Sequence, residues 1–75
     1  MPSLNDCRPG TTVRMAGIEN PEGGTTARRR LLEFGFVPGA EVTVIARGAT
    51  GGLLVGVGEA RVALDFRTAA GLRHR

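Results

Sequence analysis

The sequence has 75 residues, of which 41% are hydrophobic, and ten basic residues against seven acidic ones give a net charge of +3. This length predicts one small domain over residues 1–75 with a thin core. The hydrophobic content excludes gross disorder, and no apolar run approaches the roughly 20 residues that a membrane-spanning helix needs. Because the first residues lack the basic start and apolar core of a signal peptide, we expect a cytoplasmic protein.

Several residue types are absent or rare, which restricts the chemistry of the chain. Cys7 is the only cysteine, so an internal disulfide and a two-cysteine metal motif are excluded. The sequence has no tryptophan or tyrosine, although domains that stack nucleic-acid bases usually carry such rings. The sequence pI of 11.1 raises nucleic acid as a partner. The acidic residues interspersed among the arginines favour a modest surplus of surface charge instead.

The chain before the main helix is expected to form one helical turn and one strand. The turn covers Leu4–Arg8, with Asn5 or Asp6 as its cap. After a Pro-Gly pair, the odd-numbered residues of Thr11–Ala16 would lie on one face of a half-buried strand. A polar loop at residues 19–24, rich in glycine, then separates this strand from the helix.

One α-helix is predicted at residues 26–34, starting at a cap formed by Thr25 or Thr26. Apolar residues recur at positions i, i+4 and i+7, which places them on one face of the helix. Three arginines near the N-terminus oppose the helix dipole, so burial of the apolar face must stabilise the helix. This face consists of Ala27, Leu31 and Phe34.

The end of this helix is the most specific local feature of the sequence. Gly35 stands where a helix usually ends through the left-handed conformation, which glycine adopts without strain. Pro38 and Gly39 suit the two central positions of a type II turn, the second of which needs a positive φ. The pattern predicts that the helix stops at Gly35 and that a strand begins directly after the turn.

Alternating apolar residues separated by glycine turns predict a meander of three strands at residues 41–47, 53–57 and 60–64. Each strand would turn one apolar face to the core. These faces hold Val42, Val44, Ala46, Leu53, Val55, Val57, Ala60, Val62, Leu64 and Phe66.

The last part of the chain predicts a helical turn at residues 65–70, with Asp65 as its cap and Gly71 as its end. A short closing strand is expected at Leu72–Arg75. Five short strands around one thin core predict a mainly β fold, a small and strongly bent barrel, because closure removes exposed strand edges.

The segment Arg30–Gly39 resembles the signature RLLxLGhxPG (h, hydrophobic; x, any residue) of the ferrous iron transport protein A (FeoA) family. The likeness extends upstream to Leu4, Pro9-Gly10 and Val13, and downstream through the hairpin and strands to Ala69. It implies an SH3-like β-barrel with inserted helices. The same fold occurs as the C-terminal domain of iron-dependent repressors of the diphtheria-toxin-repressor type.

The resemblance also implies a function. It suggests a cytoplasmic, non-enzymatic accessory protein of bacterial ferrous iron uptake, which binds and modulates the FeoB-type membrane transporter through that transporter's cytosolic GTPase region. The residues agree with a non-catalytic role, because the chain lacks the lysine of a phosphate-binding Walker loop. We therefore expect no enzymatic activity and no cofactor.

Cys7 and His74 are the only residues that suggest metal or nucleophilic chemistry, and they stand at opposite ends of the chain. A barrel can bring such ends together, but a Cys–His pair still needs a third group to orient it for catalysis. We expect Cys7 to lie in the packing or on the surface, His74 to be a solvated tail, and no metal to bind. The alternative is a metal site formed by both residues and a carboxylate such as Asp6.

A partner-binding surface is predicted on and just after the helix. Its charged part would contact an acidic partner or phosphates, and its apolar part would form an exposed patch of the kind that docks proteins. Solvation of the arginines and burial of the apolar residues in the core are the alternatives. The surface consists of Arg28, Arg29, Arg30, Leu32 and Phe36.

Three other functions remain open from the sequence. A small basic barrel can bind nucleic acid through phosphate contacts, which would make its affinity fall steeply with salt. A metal-responsive regulatory module is the second. The third is weak self-association, in which the terminal strand pairs with an open sheet edge of another copy.

Overall fold

Five strands, one long helix and two short helical segments make up the part of the chain that the computed structural model describes, residues 2–19, 21 and 23–75. A 3-10 turn at Leu4–Asp6 comes first. It is followed by β1 (Thr12–Ile18), α1 (Gly24–Phe34), β2 (Glu41–Arg47), β3 (Leu53–Val57), β4 (Ala60–Leu64), α2 (Phe66–Ala70) and β5 (Leu72–His74). The predicted mainly β fold with five strands and one main helix is confirmed.

The strands form one antiparallel sheet in the order β4-β3-β2-β1-β5. β1 changes its partner along its length, because Thr12–Arg14 pair with β2 whereas Met15–Ile18 pair with β5. The register shifts between Met15 and Gly17, where the change occurs. Such irregularities bend a strand and increase its twist, so β1 can serve both parts of a strongly curved sheet.

The core lies inside this curved sheet and is covered by the helical segments. It contains residues from every strand, from α1, from α2 and from the 3-10 turn. The buried apolar residues are Leu4, Cys7, Met15, Ile18, Leu31, Phe36, Val42, Val44, Leu53, Val55, Val57, Leu64, Ala69 and Leu72.

The predicted meander is confirmed at residues 41–47, 53–57 and 60–64. Two residues assigned to its core face lie elsewhere. Ala46 is exposed because a register shift between Val44 and Ala46 rotates the rest of β2 away from the core. Phe66 is exposed because it begins α2 and so leaves the alternation of β4.

The start of α1 differs from the prediction. The helix begins at Gly24, and its N-cap is Gly23, which has a φ of 90° and makes no side-chain cap hydrogen bond. Thr25 and Thr26 therefore lie inside the first turn, past the position at which a hydroxyl caps a helix. The predicted polar loop at residues 19–24 includes Asn20 and Glu22, which lie outside the described residues.

α1 ends before Gly35 as predicted, and its end forms a hydrogen-bonded motif that the sequence analysis did not specify. Gly35 has a φ of 113° and donates to the carbonyl of Leu32 at 3.0 Å, and Phe36 donates to the carbonyl of Leu31 at 3.1 Å. These two hydrogen bonds define a Schellman motif, in which the residue after the glycine packs against the helix three residues before its end. Phe36 accordingly lies in the core with Leu31.

The turn after the helix also agrees with its sequence. The N–H of Ala40 donates to the carbonyl of Val37 at 3.0 Å, and Gly39 between them has a φ of 87°. Two further hydrogen bonds fix the turn to β1. The N–H of Gly39 donates to the carbonyl of Met15 at 2.7 Å, and the N–H of Met15 donates to the carbonyl of Ala40 at 2.8 Å. The turn therefore sets the position at which β2 starts beside β1.

The two short helical segments use one predicted cap and one that was not predicted. Asp65 caps α2, because its Oδ1 accepts a hydrogen bond of 2.7 Å from the N–H of Thr68. At the 3-10 turn, Ser3 is the cap in place of Asn5 or Asp6, and the Asp6 carboxylate accepts a hydrogen bond of 3.0 Å from the N–H of Ser3. This reciprocal pair is a capping box.

Candidate functional site

The predicted partner-binding residues of α1 lie on two different sides of the helix. At 100° per residue, Arg28 and Leu32 lie about 60° and 100° from the buried Leu31 in one direction. Arg30 and Phe34 lie about 100° and 60° from it in the other. The residues that are adjacent in the sequence therefore form two surfaces separated by the line along which α1 packs on the sheet.

Arg28 has a structural contact. Its Nη1 donates a hydrogen bond of 2.7 Å to the carbonyl of Ile18, the last residue of β1. This charge-assisted bond fixes α1 to the end of the strand. Arg29 and Arg30 are exposed and have no contact of this kind among those described, so they carry most of the charge available on α1.

Of the two apolar residues predicted for this surface, one is exposed and one is buried. Leu32 is 36% exposed and is available to a partner. Phe36 is fully buried, so its assignment to the surface was wrong and the alternative, extension of the core, holds. The cause is the Schellman motif, which turns the residue after Gly35 back towards Leu31.

Two exposed apolar residues of this region were not predicted for the surface. Phe34, which was assigned to the core face of α1, is 51% exposed, and Val37 is 43% exposed. Phe34 is the last residue of α1 and lies about 60° around the helix from the buried Leu31. The one sequence signal that could have found it is the Schellman pattern itself, which gives the core position to Phe36.

Phe34 borders a groove of about 860 Å³ between the end of α1 and the sheet. The other walls come from β1, from the start of β2 and from Gly56–Gly58. An ion pair between Arg14 and Glu41, 3.9 Å apart and mostly exposed, lies at the groove and contributes little to stability. On its other side, Phe34 lines a cleft of about 310 Å³ with Arg30 and Glu33.

These residues define what we call the α1 surface. It covers both exposed sides of α1 and the residue Val37 after it, with half-exposed apolar side chains and two arginines, and of its members Phe34 lines the groove. Protein interfaces are enriched in aromatic residues and arginine. Its members are Arg29, Arg30, Leu32, Phe34 and Val37.

Cys7 and His74, far apart in sequence, lie together. The Sγ of Cys7 is 3.4 Å from the Nε2 of His74, and the thiol is buried. His74 is thus not a solvated tail, because β5 pairs with β1 and brings it to the start of the chain. Burial, and then the Asp6 carboxylate, raise the pKa of Cys7 against the opposing effect of Arg47. The thiol therefore stays protonated at neutral pH, which disfavours a nucleophilic role.

Asp6, the carboxylate of the alternative metal site, makes a hydrogen bond within the 3-10 turn. An oxygen of Asp6 accepts the hydrogen bond from Ser3 in the capping box. Among residues 2–19, 21 and 23–75, no group of three metal-binding side chains comes together. No helix in the same residues is long and apolar enough to cross a membrane.

Comparison with known families gives a match over almost the whole chain. Residues 3–73 match the model of the FeoA domain. Comparison with curated protein sequences gives no match.

Solved structures with the same fold include FeoA proteins and a repressor. FeoA of Stenotrophomonas maltophilia, an SH3-domain protein solved in complex with zinc, is 33% identical with a TM-score of 0.83, over 97% of this chain and 88% of its own. A FeoA protein of Chlorobium tepidum is 20% identical with a TM-score of 0.85, over 96% and 67% of the two chains. A manganese-dependent transcriptional repressor is 25% identical with a TM-score of 0.77, and the match spans 41% of its length. The predicted SH3-like fold is confirmed.

Proposed function

The chain belongs to the FeoA family, which is associated with ferrous iron transport, and from this premise we propose that it is a cytoplasmic interaction module without enzymatic activity. Its partner would be the cytosolic region of a FeoB-type ferrous iron transporter, whose uptake activity it modulates. The α1 surface is the proposed contact.

The observation that carries this proposal is the exposure of Phe34 at the edge of the groove. A phenylalanine that is 51% exposed leaves a large apolar area in water, and covering it with a partner would be favourable. Aromatic side chains that insert into a partner's pocket often supply most of the binding free energy. Arg30, which lines the cleft beside Phe34, and Arg29 on the other side of α1 add positive charge, which would steer an acidic partner towards the surface.

The test compares two phenylalanines of nearly equal exposure on different elements. Phe66 on α2 is 54% exposed and lies outside the α1 surface, so it is a matched control. We expect Phe34→Ser to weaken binding to the purified cytosolic region of the transporter at least tenfold, about 1.4 kcal/mol, by isothermal titration calorimetry. Phe66→Ser should bind like the wild type. Equal affinities for the two variants would remove Phe34 from the contact.

The two sides of α1 can be separated in the same assay. Leu32→Glu and Arg29→Glu change the side that faces away from Phe34, and each should weaken binding if the partner covers both sides. Circular dichroism of each variant establishes that the fold is intact. If both variants bind normally while Phe34→Ser does not, the contact is restricted to the groove side of the helix.

A further inference from the structure

α1 is held to the rest of the molecule by few contacts. Of its eleven residues, all of which the structure describes, Leu31 alone is buried, and Ala27, one turn before it, is partly covered. Among the described residues, one side-chain hydrogen bond joins α1 to a strand, from Arg28 to the carbonyl of Ile18 at 2.7 Å. A single apolar side chain and a single polar contact therefore provide most of the attachment.

The helix has little stability of its own. It has no side-chain cap hydrogen bond, no acidic residue in its first turn and no basic residue in its last turn, so the usual side chains do not complement its dipole. Isolated helices shorter than about 12–15 residues are only marginally stable in water, and α1 has 11 residues. We therefore expect α1 to unfold when the contact of Leu31 with the core is lost.

The sheet does not depend on α1 in the same way. β3 pairs with β2 on one side and with β4 on the other, and it buries Leu53, Val55 and Val57. Leu31 is the one member of the buried core that α1 supplies. Loss of α1 would therefore remove a small part of the core and none of the strand pairing.

Glycines stand at both ends of α1. Gly23 and Gly24 have φ values of 90° and 65°, and Gly35 has a φ of 113°. Because glycine adopts either sign of φ without strain, the direction of the chain can change at these positions. After Gly35, the fully buried Phe36 holds the chain in the core. We propose that α1 is a hinged lid, which opens and unfolds between Gly23 and Gly35 while the five strands stay folded.

Opening of this lid removes one wall of the groove. Phe34 and Gly35 form the wall at the end of α1, and the rest of the lining belongs to the strands and to the turns that join them. When α1 opens, Phe34 leaves with the helix, so the groove exists only in the closed form. A ligand that binds in the groove therefore holds the lid closed. This consequence holds for any such ligand and does not rest on the proposed transporter.

Amide hydrogen exchange of the whole chain, measured residue by residue with NMR, tests the inference without a partner. We expect the protection factors of the amides at residues 28–34 to be lower than those of β2 and β3 by about a hundredfold or more. Urea below the unfolding transition should leave exchange in α1 nearly unchanged, because a local opening exposes little surface, and should accelerate exchange in the sheet. Equal protection and equal urea dependence in α1 and the sheet would mean that they unfold together, which would overturn the inference.

Two variants separate the lid from the sheet. Leu31→Ser removes the buried contact and should abolish protection in α1, whereas protection in the sheet should fall by no more than the factor that α1 has in the wild type, because the stability of the open form is unchanged.

Leu53→Val is the control variant. Leu53 is buried at the end of β3 opposite to Val57, the residue beside Gly35. The change should lower protection in the sheet and leave protection in α1 as it is. Unfolding of the sheet in Leu31→Ser, seen by circular dichroism, would overturn the inference, and so would a parallel loss of α1 protection in Leu53→Val.

Discussion

Two phenylalanines on either side of Gly35 have opposite surroundings. Phe34 is half exposed at the end of α1, whereas Phe36 is fully buried beside Leu31. The hydrogen bonds around Gly35 produce this difference, because they reverse the chain and direct the second ring into the sheet. The ring of Phe34 is therefore available to a partner, whereas the ring of Phe36 stabilises the core.

This difference predicts unequal effects on stability. Phe36→Ala leaves a large cavity in the core and should lower the free energy of unfolding by roughly 3–5 kcal/mol. Phe34→Ala removes a ring that is mostly in water and should lower it by less than about 1 kcal/mol. Urea unfolding of both variants measures these changes. If both variants lost a similar free energy of unfolding, the result would contradict a structure in which Phe36 is buried and Phe34 is not.

Gly71 gives a second prediction at the scale of the residue. A Cβ atom built on it would lie 2.6 Å from the backbone carbonyl oxygen of Glu19, which cannot move without disturbing the neighbouring strand. Gly71→Ala should therefore destabilise the fold by roughly 1–3 kcal/mol. Gly17→Ala is the control, because nothing lies within 4 Å of the Cβ position there. A thermal melt in which Gly71→Ala is as stable as Gly17→Ala would show that the two backbones can separate at little cost.

At the scale of the element, the ends of the helices depend on single side chains or single glycines. α1 ends at Gly35 and has no side-chain cap at its start, whereas α2 has a carboxylate cap. Hydrogen bonds from the Thr68 hydroxyl and then from its backbone N–H lower the pKa of Asp65 below its ordinary value of 3.8. The folded state therefore binds this proton less tightly than the unfolded state does.

Asp65 stabilises the folded state more at neutral pH than in acid. The contribution of Asp65 is fully present above the pKa of the unfolded state and is lost as the pH falls through the lower pKa of the folded state. Asp65→Asn keeps an oxygen that can cap the helix but removes the titration. Urea midpoints at about pH 6 and about pH 3 should fall further in the wild type than in the variant. An equal fall in both would assign the acid sensitivity to other carboxylates.

How far the sequence predicts each element depends on whether the responsible interactions are local. The meander at residues 41–64 was predictable because its alternation and its turns lie within a few neighbouring residues. The Gly23 cap was not predictable, because two threonines that could cap the helix stand two and three residues after it. The exposure of Phe34 was predictable only in part, because the Schellman pattern gives the core position after Gly35 to Phe36 but does not report which other elements cover the end of α1. The meeting of Cys7 and His74 depends on the pairing of β1 with β5.

At the scale of the whole molecule, the charge distribution argues against nucleic-acid binding. The net charge is only +3, and Arg28, one of the three adjacent arginines, is engaged with the carbonyl of Ile18. On α1 this leaves Arg29 and Arg30 to neutralise phosphates, and the affinity of non-specific binding depends on the number of such contacts. We therefore expect no complex with single-stranded or duplex DNA in a gel-shift assay at about 0.15 M salt. A complex that forms there and weakens steeply with added salt would favour the nucleic-acid hypothesis.

The divided pairing of β1 has a consequence for the order of folding. Its first half can pair with β2 as soon as the middle of the chain is available, whereas its second half must wait for β5, which comes last. Bringing together segments so distant in sequence carries a large loop-closure entropy and slows two-state folding. During synthesis on the ribosome, Met15–Ile18 would thus remain without their final neighbour until residues 72–74 have been made, and the pairing of β5 would be the step that completes the sheet.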